Sequence, residues 1–382
     1  MLSAINSQYP SIDDLREKSK KRIPKFAFEY LDGGCNDDVS IVRNTSDIRE
    51  VQLQPRYLNN RGVSSSKTKI LGMEFDAPFG IAPVGLQGLM WPNSPEILAK
   101  AAFKHNIPFI LSTVTTMNIE RASELTEGKA WFQLYNPVED VLRNDIINRA
   151  EAAGCPVLVL LCDVPTFGYR PRDIRNGLAL PPKMSVKNIL QILGKPTWAY
   201  NTLKYGQPTF ETLKPYTPEG LNLKQLGQFM DKTFSGKLNA EKIKPIRDQW
   251  KGKLVLKGVA SEQDTLDAIA MGFDGIIASN HGGRQLDAAQ STINSLKDIV
   301  KHGDKIEIMM DSGMRSGPDI ARAIASGAKF TFMGRSFMYG VGALGKNGGD
   351  HTIAITKRQF QQVMDQLCCE RVEDLPKHLI TN

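Results

Sequence analysis

Eight short apolar runs recur along the chain, each followed by a longer amphipathic stretch. This alternation limits the fold more than any other feature. The runs span 78–83, 108–112, 130–135, 157–163, 254–258, 275–279, 306–311 and 330–334. Helix-type segments lie between them, among them 95–104, 138–153, 262–271 and 318–326. Short, continuously apolar strands are buried on both faces, and helical crossovers are what a parallel sheet needs. Eight such units close a (β/α)8 barrel, so the predicted fold class is α/β, a TIM barrel forming a single domain over 1–382. Ahead of the repeats, Ser11 with Asp14 three residues on predicts a capped helix over 12–20. Pro24 and the later Gly33-Gly34 pair bracket a second helix.

The spacing breaks once. About 90 residues lie between Asp163 and Leu254, where a βα connection usually takes about 2–6. This insertion, 164–252, leaves from the C-terminal end of the fourth strand, the face on which barrel enzymes build their active sites.

Composition excludes several classes. A chain that is 41% hydrophobic and 23% charged can bury a large core and is not a disordered protein. The five cysteines, Cys35, Cys155, Cys162, Cys368 and Cys369, are odd in number and form no CxxC pair. They are expected to be reduced thiols rather than disulfides or metal ligands, and no metal is expected. The N-terminal stretch lacks the apolar core of a secretory signal, and no run nears the ~20 residues of a membrane span. The expected location is therefore the cytoplasm.

Polar residues recur where the apolar runs end. Run four ends at Asp163 and run five contains Lys257. Run six leads into Ser279-Asn280-His281-Gly282-Gly283-Arg284, run seven into Asp311-Ser312-Gly313-Met314-Arg315, and run eight into Gly334-Arg335. Singly, each has an ordinary structural reading; five on one rim point to chemistry. The loops after strands seven and eight commonly bind phosphate, and their glycines, backbone N–H groups and two guanidiniums suit one. A histidine after strand six serves as a general base near neutral pH, and an aspartate beside it orients the imidazole. Arg284 suits a carboxylate, and Lys257 suits negative charge on a planar cofactor. A bound flavin mononucleotide (FMN) satisfies the phosphate site, the lysine and the base together.

The run Ser-Asn-His-Gly-Gly-Arg-Gln-Leu-Asp at 279–287 resembles the hallmark of the FMN-dependent 2-hydroxy-acid oxidases and dehydrogenases. Further matching features are Tyr30 before Gly-Gly, Gly-Ile-Ala-Pro-Val-Gly at 80–85, Trp-Phe-Gln-Leu-Tyr at 131–135 and Lys257-Gly258. The resemblance implies that His281 is the base, that Asp163 pairs with it, and that Tyr135 contacts the substrate hydroxyl. It implies that Arg284 and Tyr30 hold the substrate carboxylate, with Arg170 as a second cation. The flavin ring would meet Lys257, Ser112, Gln133, Ser279 and the backbone of Pro83, Val84 and Gly85. Asp311, Gly313, Arg315, Gly334 and Arg335 would hold its phosphate. The implied reaction oxidises an (S)-2-hydroxy acid, L-lactate being the expected substrate, and passes electrons to a quinone or similar acceptor. Alternatives are an oxidase using oxygen on a glycolate- or mandelate-like acid and a non-catalytic flavin-binding barrel. The resemblance also implies a homotetramer. Two positions depart from the pattern. Leu161 stands where a threonine usually bonds the flavin, and Val114 where glycolate oxidase has a tryptophan.

The net charge of +7 is local. Residues 183–247 hold ten lysines and one arginine against four acids, which equals the excess of the whole chain. Within this stretch Ser185 can cap a helix with Val186, Ile189, Leu190 and Leu193 on one face and Lys183 and Lys187 beside it. Trp198, Tyr200, Tyr205 and Phe210 follow. A basic, apolar and aromatic segment over 183–215 fits peripheral contact with the inner face of the cell membrane. The competing expectation is that the stripe packs on the barrel and the lysines are solvated. No nucleic-acid motif accompanies the charge, so no nucleic-acid partner is expected.

Overall fold

The computed structural model describes residues 5–58, 62–178, 185–218, 229, 232–234 and 238–380. Two short strands, β1 (Thr68–Ile70) and β2 (Met73–Phe75), form an antiparallel hairpin. The eight predicted runs follow as β3 (Phe79–Ile81), β4 (Ile110–Ser112), β5 (Trp131–Leu134), β6 (Val157–Leu161), β7 (Lys253–Val259), β8 (Gly275–Ala278), β9 (Glu307–Met310) and β10 (Phe330–Met333). Their order is β3-β10-β9-β8-β7-β6-β5-β4, each pair parallel. Ile81 bridges to Phe109, and its N–H donates to the Pro108 carbonyl at 2.9 Å, bringing the ring close to closure.

Two cores follow from the two faces of these strands. Inside the barrel, Ile110, Trp131, Val157, Val159, Val255, Ile277, Met309, Phe330 and Phe332 pack together. The hairpin closes the end where the strands begin: Phe75 meets Trp131 and Phe330 edge-on, at 6.5 and 5.7 Å between ring centroids. Outside, the helices Ser94–Lys104, Asp140–Ala152, Glu262–Ala270 and Gly317–Ala325 lie within two residues of the predicted segments. Side chains such as Leu98, Ile146 and Ile320 fill the layer between helices and strands.

The N-terminal region forms α1 (Ile12–Arg22), α2 (Lys25–Asp32) and α3 (Val39–Glu50). Ser11 and Asp14 make the reciprocal capping box the spacing predicted, an arrangement in which the cap residue alone contributes about 1 kcal/mol. Helix α1 crosses the helix Arg335–Leu344 at Gly342, where a Cβ would come 2.2 Å from the Ser19 hydroxyl. Helix α2 carries Tyr30 to the C-terminal rim of the barrel.

Within 164–252 the chain forms the helices Pro171–Arg175, Val186–Leu193, Pro196–Tyr205 and Ala240–Gln249. The last takes the ordinary crossover place between β6 and β7. Its Ile243 and Ile246 are buried, and Gln249 donates to the Asn144 carbonyl at 2.9 Å. The added chain therefore ends before Asn239. Ser185 caps Val186–Leu193 as expected, but the apolar stripe does not pack on the barrel. Val186, Ile189, Leu190 and Leu193 are 50–75% exposed, and Tyr200, Leu203 and Tyr205 are exposed beside them. Trp198 corrects the list of aromatic anchors. Its ring is buried edge-on against Phe26, and its N–H is directed at the Leu89 and Met90 carbonyls. Lys183, the start of the expected membrane segment, lies outside the described residues. Among the described residues no helix is long and apolar enough to cross a membrane.

Candidate active site

The polar strand ends meet around one cavity of about 620 Å³ at the C-terminal rim, within the usual range for a small-molecule site. Glycines allow the loops to meet. A Cβ on Gly34 would lie 2.5 Å from the Gly283 carbonyl, and one on Gly283 would lie 2.7 Å from the Ile41 nitrogen. The two Gly-Gly pairs thus pack backbone on backbone, and that contact sets Tyr30 over Arg284, with the guanidinium carbon 5.0 Å from the ring centroid.

His281, Gly282 and Gly283 all adopt positive φ, at 57°, 66° and 73°. For the histidine this conformation costs about 1–2 kcal/mol. The turn is held by side chains: the N–H of His281 donates to Ser279 Oγ, that of Gly282 to Ser312 Oγ and that of Gly283 to Asn280 Oδ1. The imidazole Nδ1 lies 3.1 Å from Asp163 Oδ1. Gly258 makes room for this aspartate, since a Cβ there would lie 2.5 Å from that of Asp163. Burial lowers the His281 pKa below its ordinary value, although Asp163 pulls it upward. Burial pushes Asp163 up, but His281 and Lys257 outweigh it and leave the carboxyl below the usual range. Near neutral pH the pair is a carboxylate orienting a neutral imidazole, whose other nitrogen is left to take a proton.

Arg284 and Arg170 share one region of the cavity. Burial and the charge of Arg170 lower Arg284 to about 10. One Arg284 nitrogen donates to the Tyr30 and Gly33 carbonyls at 2.7 and 2.9 Å. Arg170 is directed at Gln285 Oε1 and lies 3.8 Å from the buried Asp173. Tyr135 and Tyr30 line the same cavity, and burial raises the Tyr135 phenol. Two guanidiniums that repel each other in a partly dry site suit an entering carboxylate.

Deeper, Lys257 pairs with Asp311 at 2.8 Å and donates to Ser279 Oγ at 3.0 Å. Burial lowers the lysine, but Asp311 and Asp163 outweigh it and keep the ammonium protonated. Ser112 Oγ donates to Gln133 Oε1 at 3.0 Å. The buried Gln133 Nε2 has no hydrogen-bond partner among the described residues. An unsatisfied buried donor costs about 1–3 kcal/mol, and a flavin ring acceptor would remove that cost. Pro83, Val84, Gly85 and Leu161 complete this wall. The residues present fit the expected FMN.

At the phosphate end, Gly313 has φ 88° and a Cβ there would strike the Asn44 carbonyl at 2.4 Å. Arg315 lines the cavity and donates through one nitrogen to the Met314 carbonyl at 2.8 Å. Arg335 is placed differently from a freely presented phosphate ligand. Its guanidinium donates to the carbonyls of Leu31, Gly282 and Gly33 at 2.8–2.9 Å. Burial and the charge of Arg315 lower it to about 9. What Gly334 and Arg335 offer an anion is the N-terminus of the helix Arg335–Leu344, backed by a buried positive charge.

Every predicted site residue lines this cavity except two: Asp163 stands behind His281, and Ser279 reaches the cavity through Lys257. Sequence reasoning passed over four further residues of this region. Gln285 donates to the Asp163 and Thr166 carbonyls at 3.2 and 3.1 Å, tying the histidine loop to the aspartate loop. Asp287 accepts from the Asp37 and Ser40 N–H groups before and within α3. Both stand inside the nine-residue run, which was the available signal. Phe210 and Phe234 also line the cavity; Phe210 was expected among the membrane-facing aromatics instead, and no motif marks Phe234.

The profile of the FMN-dependent dehydrogenase family matches residues 19–382. An L-lactate dehydrogenase of Caulobacter sp. (strain K31) is 35% identical over 356 residues, 93% of each chain. An (S)-mandelate dehydrogenase of Pseudomonas putida is 33% identical over 372 residues, covering 97% of this chain and 94% of that one. Among solved structures, the monotopic membrane protein (S)-mandelate dehydrogenase superposes with a TM-score of 0.93 at 33% identity, covering 98% of this chain and all of that one. With the barrel, the His281–Asp163 pair and the cavity already in place, the chain is identified as a member of the FMN-dependent 2-hydroxy-acid dehydrogenase family.

Proposed function

We propose that this protein oxidises an (S)-2-hydroxy acid to the 2-oxo acid and hands the electrons to a membrane quinone or a similar acceptor. The observation that carries the reading is the His281–Asp163 pair, which shares one cavity with the Arg284–Arg170 cations and the buried Lys257. Arg284 and Arg170 bind the substrate carboxylate, Tyr30 shields that pair, and Tyr135 meets the hydroxyl. His281 removes the proton that must leave as the alcohol becomes a carbonyl, and Asp163 stabilises the resulting imidazolium. FMN, when bound, would accept the remaining two electrons and one proton, together a hydride equivalent. Lys257, Gln133 and Ser112 would hold its ring, with Pro83, Val84 and Gly85 lining the same cavity, and Lys257 would offset negative charge there. Asp311, Gly313, Arg315, Gly334 and Arg335 form the phosphate end. Anaerobic mixing of the yellow holoprotein with a panel of 2-hydroxy acids tests this. Bleaching of the flavin absorbance is expected with at least one acid, and an unchanged oxidised spectrum with all of them refutes the reading.

The exposed stripe supports peripheral membrane attachment. Val186, Ile189, Leu190 and Leu193 present apolar surface to solvent beside lysines, and Asn188 ties their helix to the Asn176 carbonyl near the cavity mouth. Phe167, Tyr169 and Ile174 are exposed on that mouth, where a lipid-soluble acceptor would approach. Replacing the four stripe residues by serine should move the protein from the membrane pellet to the supernatant with its flavin retained. A wild type found in the supernatant, or a variant still in the pellet, would defeat the idea.

A further inference from the structure

The added chain does more than present an apolar stripe: it sends two aromatic rings into the cavity. Phe234 is 5% exposed and meets Tyr135 edge-on, with 6.0 Å between ring centroids. The Val138 N–H, just beyond β5, donates to the Thr233 carbonyl at 2.8 Å and fixes the neighbouring backbone. Phe210 is anchored on the next loop. The Glu211 N–H donates to the Thr115 carbonyl at 3.2 Å, and Leu213 is fully buried. Thr115 adjoins Val114, itself a lining residue. Thus two separate parts of the added chain dock on the loops after β4 and β5, each through a backbone hydrogen bond. Both docks bring a phenylalanine to the cavity, Phe234 directly against Tyr135.

The cavity lining is chemically mixed. Leu86, Met90, Val114, Leu178, Phe210 and Phe234 contribute carbon, beside the cations and the base supplied by Arg170, Lys257, His281 and Arg284. In the reading proposed above, on which this inference rests, Tyr135 meets the substrate hydroxyl. Phe234 then stands within one ring of the carbon that bears the hydroxyl, where the substrate side chain departs. A methyl group would leave most of this apolar surface uncovered. A branched or aromatic side chain covers it, with an edge-on ring contact available to the aryl case.

We propose that Phe210 and Phe234 form the side-chain pocket, so that the protein selects 2-hydroxy acids with large branched-aliphatic or aryl side chains over L-lactate. The two rings determine specificity without taking part in proton transfer. Each methylene that an apolar pocket recognises is worth about 10–200-fold in kcat/KM, so a preference of at least about 10-fold is expected.

The test compares flavin reduction in the holoprotein under argon by L-lactate, (S)-2-hydroxyisocaproate, (S)-mandelate and (S)-3-phenyllactate. It uses wild type, Phe210→Ala and Phe234→Ala, each normalised to bound flavin. The expected result is that at least one bulky acid exceeds L-lactate about 10-fold or more, and that each variant lowers the bulky-to-lactate ratio by a similar factor. The ratio is unaffected by a fraction of inactive protein, so a purely structural role would leave it unchanged. L-Lactate reacting as well as every bulky acid, or variants slowing all acids equally, would overturn the inference while leaving 2-hydroxy-acid oxidation intact. No reduction by any acid would overturn the underlying reading and this inference with it.

Discussion

Replacing His281 by glutamine should leave the yellow cofactor bound and slow its reduction by a 2-hydroxy acid roughly 10²–10⁴-fold, the usual worth of a positioned general base. Glutamine preserves size and one polar contact to Asp163 but cannot take a proton. Its amide still fits the turn held by Ser279, Ser312 and Asn280, because those bonds engage the backbone of residues 281–283. The pH dependence supplies an independent check. Burial holds His281 below its ordinary pKa of 6.5, so the neutral, proton-accepting form prevails at neutral pH. In the wild type kcat/KM should stay level from about pH 8 towards 6.5. It should fall further down, as the imidazole becomes protonated and can no longer act as a base. The glutamine variant should lack this acid limb. Near-wild-type reduction by the variant would remove His281 from the mechanism.

Lys257→Met should cost stability as well as flavin. The ammonium and the Asp311 carboxylate face each other at 2.8 Å with both side chains under a tenth exposed. Removing one partner of a buried ion pair strands the other, typically at about 3–5 kcal/mol. The flavin-free variant should therefore unfold at clearly lower urea than flavin-free wild type, and gel filtration should strip residual flavin from it. The double variant Lys257→Met with Asp311→Asn should regain much of the urea resistance, since no uncompensated charge remains, but should not regain the flavin. Equal unfolding midpoints for the single variant and wild type would contradict the assigned role of the pair.

The barrel was legible because strands covered on both faces need uninterrupted apolar runs, and all eight runs coincide with β3–β10. The hairpin of β1 and β2 was not. Each of its strands has three residues, too few for any periodicity to register, and the turn is Leu71-Gly72 rather than a common hairpin pair. Site residues within the nine-residue run and at the strand ends were legible for a related reason. A barrel carries catalytic groups where its strands stop, so a polar residue ending an apolar run already has an address.

Contacts between distant segments followed a different logic. Arg335 looked like a freely presented phosphate ligand, yet its nitrogens are engaged by carbonyls at positions 31, 33 and 282. Trp198 looked like one more membrane anchor until the Phe26 ring and the Leu89 and Met90 carbonyls enclosed it. Phe210 looked like a membrane-facing aromatic and Phe234 carried no motif, and backbone bonds with the loops after β4 and β5 are what brought them to the cavity.

By itself the sequence determined the alternation that builds the barrel, the rim on which polar residues gather and the family to which the nine-residue run points. These are local or periodic properties, set by which residues sit next to which. Tertiary structure alone decided what covers each face: which guanidiniums still confront the cavity, which aromatics are buried, and that the stripe on Val186–Leu193 stays open to solvent. A repeat of apolar positions states that a face avoids water; it does not name the surface that covers it.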